Sequence, residues 1–195
     1  MPNHRKLSFA LVLACATLLA LPALTVPALA APPETADALF AQAKAQAKLE
    51  HKNVLMVFSA SWCGPCKLYE RFLEDPAMKP ITDRAFVVQR IDVGENPKDT
   101  HHADTPGGEA LRTRLGAVGQ PGFPFLIITS DNGTPIVNSY RNGDSNLNVG
   151  YPALPEEIDW YVQMLKRAAP SLSPGALSPA DLAATKAWLQ QHSPA

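Results

Sequence analysis

Two cysteines two residues apart, Cys63 and Cys66, follow an apolar run in the stretch Ser59-Ala60-Ser61-Trp62-Cys63-Gly64-Pro65-Cys66-Lys67. Such a pair can bind zinc, staple the chain, or cycle between dithiol and disulfide. Structural zinc takes four nitrogen or sulfur ligands. Beyond residue 30 the chain offers no further cysteine, and His51, His101, His102 and His192 are scattered. His101, His102 and Asp104 are close in sequence, but in an irregular segment their side chains diverge and read as a solvated loop. A staple around two intervening residues removes little unfolded-chain entropy. The same proximity makes the second thiolate a nearly unimolecular attacker on a mixed disulfide formed by the first. The favoured reading is a redox centre at Cys63 and Cys66 that needs neither metal nor cofactor.

The neighbouring residues place this pair. Residues 53–60 (NVLMVFSA) form a short apolar run rich in β-branched and aromatic types, as a buried central strand does. From Cys63 to Glu74 the pattern turns helical, with Cys66, Tyr69 and Leu73 on one face. Cys63 therefore stands at a helix N-terminus, where unpaired backbone N–H groups stabilise a thiolate. Thiols so placed have pKa values of about 3.5 to 7.5. Cys66, a turn further on, is the buried resolving thiol. Pro65 fits the first helical turn because its missing N–H costs no interior hydrogen bond there.

Around this unit the spacing predicts a helix over 35–50 and a short second helix after Asp75-Pro76. A strand follows over 85–93, then a polar, breaker-rich surface loop over 94–108 and a short helix over 109–115. Strands over 124–129 and 135–140 flank Asp131-Asn132-Gly133, a hairpin signal. An amphipathic helix covers 155–168. The order describes an α/β layer in which parallel strands come first and a hairpin lies at the edge. A Pro/Ser-rich linker over 170–178 leads to a last helical extension over 179–195. Ser178 is its N-cap, Pro179 its first helical residue, and Leu182, Trp188 and Leu189 are the residues that could dock it.

The motif Trp62-Cys63-Gly64-Pro65-Cys66-Lys67 resembles the active site of thioredoxins, letter for letter. The resemblance covers residues 35–169 in element order, within a domain bounded at 31–169. It implies a thioredoxin-like fold: a central mixed sheet flanked by helices, here with an extra C-terminal helix. The family carries a cis-proline before a strand, beside the dithiol, and Gly122-Phe123-Pro124-Phe125 matches that place. Carried over, Cys63 and Cys66 are catalytic, and Trp62, Gly64, Pro65, Phe123 and Pro124 bind the substrate. Backbone groups of Phe123 would pair with an extended client segment. Thioredoxins bury an acid six residues before the first cysteine, where this chain has Val57, and their lysine partner falls at Val88. Lys67 and Glu70 read as a solvated helix face, so no proton shuttle is assigned. Gly64-Pro65 resembles the reducing members of the family.

Residues 1–30 read as a secretory signal peptide: His4, Arg5 and Lys6 are followed by an apolar run and by Ala28-Leu29-Ala30. The expectation is an exported, periplasmic protein without stable membrane insertion after cleavage; a lipid anchor through Cys15 is the alternative. A formal net charge of −1, made more acidic by losing Arg5 and Lys6, points away from nucleic acid. The expected function is reduction or interchange of protein disulfides, with disulfide or thiol clients and a membrane electron-donor protein as partners. Alternatives are a specialised reductase of cytochrome c maturation, with the 94–108 loop as recognition insert, and a chaperone or binding module that uses the dithiol little.

Overall fold

The computed structural model describes residues 33–120 and 122–193. The expected signal peptide over 1–30, and Cys15 within it, lie outside them. Helix α1 (Ala36–Glu50) starts where Thr35 Oγ1 accepts from the Ala38 N–H at 3.2 Å, and it buries Ala36, Phe40, Ala43 and Ala47. All seven residues of β1 (Asn53–Ser59) are buried. Their alternation divides the core, since successive strand residues point to opposite faces. Leu55 and Val57 join one apolar cluster, while Val54, Met56 and Phe58 join the other.

After β1 come α2 (Gly64–Glu74), α3 (Lys79–Ala85), β2 (Phe86–Asp92), α4 (Gly108–Arg114), β3 (Phe125–Thr129) and β4 (Pro135–Asn138). Helices α5 (Pro155–Ala168) and α6 (Pro179–His192) complete the order. The sheet runs β2-β1-β3-β4, with β1 parallel to β2 and antiparallel to β3, and β4 antiparallel to β3. This is the expected mixed sheet with parallel strands first and a hairpin at one edge.

Two local expectations change. The buried face of α2 is Cys66, Tyr69 and Phe72, with Leu73 only half-buried. Phe72 is drawn in because Tyr161 of α5 and Trp188 of α6 pack edge-on against its ring at 5.7 and 5.3 Å. The 94–108 segment is irregular up to α4, as expected, yet Glu95 turns inward and is only 8% exposed. Further on, the Pro/Ser-rich stretch packs Leu172 and Leu177 on the core. Ser171 Oγ meets the side chain of Asn53 at the start of β1.

Candidate active site

The central strand delivers the two cysteines. β1 ends at Ser59, the Cys63 N–H donates to Ala60 O at 3.1 Å, and α2 begins one residue later with Cys63 as its N-cap. Cys63 Sγ accepts from the Cys66 N–H at 3.1 Å. The predicted role of the helix N-terminus thus has a specific donor, a backbone N–H of the first turn aimed at the first sulfur. Cys63 and Cys66 form a disulfide with their Cα atoms 5.2 Å apart. Both residues are buried with Ala60, and Phe123 packs against them. Cys63 lines a surface groove; Cys66 does not.

That groove, of about 790 Å³, is bordered by Trp62, Cys63, Gly64, Pro65, Arg112 and Phe123 among others. Trp62 is 59% exposed. Its indole N–H donates to Gly94 O at 2.9 Å, and its ring meets Phe123 edge-on at 5.9 Å. Gly94 adopts φ 72°, and a Cβ there would lie 3.0 Å from the Phe123 ring, so a side chain would strain the backbone and crowd the ring. The Phe123–Pro124 peptide is cis. Pro124 is buried at the entrance to β3, while Gly64 and Pro65 are exposed on the groove's other side.

Three polar residues at this site carried no signal in the sequence analysis. Glu95 receives the Ser61 N–H and hydroxyl, one on each carboxylate oxygen, both at 2.6 Å, and so holds the turn before Trp62. Its own N–H is taken by Asp104 at 2.7 Å, which ties the loop back on itself. Asn148 donates to Gly122 O at 2.7 Å and Pro124 O at 3.1 Å, bracing the cis-proline segment from 24 residues away. The third is Arg112, a buried arginine on α4 whose guanidinium lies 5.4 Å from the Phe123 ring centre. The chemical types were visible, but a lone Glu or Asn in an irregular segment has no period to mark it.

Val57 is buried in the same apolar cluster as Tyr69 and Phe72 of α2. The β1–β2 register sets it opposite Arg90, and sets Val88 opposite Leu55. Glu70, read as part of a solvated helix face, pairs at the surface with Arg90, which also donates to Asp92 at 2.9 Å. These groups are each about two-fifths exposed, so the ion-pair network straddles the protein surface.

A thioredoxin-like family profile matches residues 35–129. The thioredoxin of Buchnera aphidicola subsp. Baizongia pistaciae is 36% identical over 78 residues, an alignment that takes in 67% of that protein and 40% of this chain. The chain belongs to the thioredoxin-like family. The thioredoxin of Mycobacterium tuberculosis is 44% identical over 48 residues, 25% of this chain, and the chain spans only 40% of that protein's length. Among solved structures, the disulphide isomerase of Xylella fastidiosa Temecula1 aligns at 21% identity and a TM-score of 0.45, covering 64% of this chain and 86% of that one. Among the described residues of this thioredoxin-like chain, no group of three His, Cys, Asp or Glu could hold a metal ion. None of its described helices is long and apolar enough to cross a membrane.

Proposed function

We propose that the chain is an exported thiol-disulfide oxidoreductase that reduces or interchanges protein disulfides through Cys63 and Cys66. The observation that carries this reading is the asymmetric placement of the pair: Cys63 borders an open groove and caps a helix N-terminus, with Cys66 held behind it. In the reduced protein the Cys63 thiolate attacks one sulfur of a client disulfide, breaking the client S–S bond and expelling one client thiolate. The Cys66 thiolate then attacks Cys63 Sγ, and the mixed disulfide breaks to release the second client thiolate. Two electrons pass to the client, its two thiolates take up the two protons lost by the dithiol, and the protein is left as the Cys63–Cys66 disulfide. A dithiol protein of the membrane returns the electrons. Gly64-Pro65 supports reduction as the direction, and the basic start and apolar run of the first thirty residues support export.

Replacing Cys66 by Ser removes the resolving thiol, so the variant accumulates mixed disulfides between Cys63 and its clients, seen on non-reducing gels and lost with reductant. Absence of any trapped species, with Cys63 still reactive to an alkylating reagent, would mean a binding module in place of an oxidoreductase. Equilibration with glutathione buffers reads the direction: a pair more reducing than the buffer confirms a reductase, and one as oxidising as the exported compartment reverses the assignment.

A further inference from the structure

Arg112 combines burial, charge and incomplete pairing in the wall of the active-site groove. The residue is only 4% exposed. Of its guanidinium nitrogens, Nη2 donates to Glu109 Oε1 at 2.6 Å, while Nε and Nη1 are closed to solvent and have no acceptor among the described residues. Buried donors are ordinarily satisfied, and a buried charge is ordinarily matched by an opposite one held as firmly. Glu109 matches it poorly, because its side chain is 60% exposed. Glu95, the buried acid of the 94–108 segment, has both oxygens engaged by Ser61. The Phe123 ring centre lies 5.4 Å from the guanidinium carbon, within cation–π range. Arg112 is also the one cation among the described residues that line the groove with Cys63.

We propose that Arg112 is a specificity residue that receives a carboxylate of the client, so that the groove prefers disulfides whose reacting cysteine has an Asp or Glu beside it. This rests on the oxidoreductase reading above. With Nε and Nη1 closed to solvent, the client carboxylate meets the guanidinium at Nη2, beside or in place of Glu109, as a charge-assisted hydrogen bond. A client chain laid extended across Phe123 places neighbouring side chains on alternate sides of the strand, so an acidic residue within two positions of the cysteine can turn toward α4. The rim carboxylate of Glu109 competes for the same cation and lowers the affinity that the bare guanidinium would have.

The test uses the reduced full-length chain and a set of peptide disulfides identical except for Glu, Gln or Lys at each of the two positions on either side of the cysteine. At one position or more, kcat/KM for the Glu peptide exceeds that for the Gln peptide about tenfold, the scale of one charge-assisted hydrogen bond. The Lys peptide is poorer than both. Glu109→Gln widens the Glu/Gln ratio, and Arg112→Gln brings it near unity. Should Arg112→Gln not fold, the peptide series on the unsubstituted chain and on Glu109→Gln decides. Equal reduction of the Glu and Gln peptides at every position overturns the proposal and leaves the oxidoreductase reading intact. Reduction of no peptide overturns that reading. Calorimetric binding of the same peptides with serine in place of cysteine to a Cys63→Ser/Cys66→Ser chain then reads the carboxylate preference without turnover, and no preference there overturns the role of Arg112.

Discussion

Asn148 spends every polar atom of its side chain on the cis-proline segment and its support. Its amide donates to Gly122 O and Pro124 O, and its oxygen accepts from Ser139 Oγ at 2.5 Å. Ser139 Oγ in turn receives the Leu126 N–H on β3, so one side chain couples the groove to the sheet. Gly150 lets its backbone approach the same segment: a Cβ there would stand 3.2 Å from both Phe123 O and Pro124 O and would press on it. Asn148→Ala leaves two carbonyls and a hydroxyl short of a partner, which costs about 1–3 kcal/mol in denaturant unfolding. The same variant raises KM for peptide disulfides more than it lowers kcat, because the client platform loosens while the cysteines stay on α2.

At the scale of elements, α2 is held by an aromatic cluster. Tyr69 meets Tyr161 of α5 through a hydroxyl–hydroxyl hydrogen bond of 2.9 Å, and Phe72 and Trp188 close the group. Burial pushes the Tyr69 phenol well above its ordinary value, and the charge and hydrogen bond of Tyr161 add to the rise. Burial raises Tyr161 too, with the Tyr69 hydrogen bond partly opposing it. The unfolded chain releases these phenol protons near pH 10, whereas the folded chain keeps them to higher pH. Above about pH 10 the folded state therefore binds more protons than the unfolded one, and stability falls as pH rises. Urea melts between pH 9 and 12 show this slope, and a Tyr69→Phe/Tyr161→Phe chain flattens it. Either single Phe variant strands one hydroxyl and is less stable at neutral pH than the pair.

For the molecule as a whole, α6 is a packed part of the domain. Ser178 and Asp181 form a reciprocal cap at its start, Arg84 of α3 pairs with Asp181 at 2.6 Å, and Leu189 is fully buried. Burial raises the Asp181 carboxyl, but the Ser178 and Arg84 contacts outweigh it and hold the group below its ordinary value. Leu189→Ala leaves a cavity between α6 and the rest of the core and lowers unfolding stability by about 2–5 kcal/mol. Below its lowered melting temperature this variant reduces peptide disulfides at the unsubstituted rate, because α6 lies outside the groove.

The sequence by itself determined the dithiol, its place between a central strand and a helix N-terminus and the order of elements, while the cis-proline candidate came from the resemblance to thioredoxins. Each of the former is written in neighbouring residues: the spacing of Cys63 and Cys66, the apolar run of β1, the Asp131-Asn132-Gly133 turn and the Ser178-Pro179 start. Only the tertiary structure decided which polar groups complete the site. Glu95 reaches Ser61 across 34 residues, Asn148 reaches Gly122 across 26, and Phe72 is chosen over Leu73 by rings on α5 and α6. Periodicity and turn chemistry are local, whereas the partner that satisfies a buried donor, or leaves it open as at Arg112, is known only when distant segments meet.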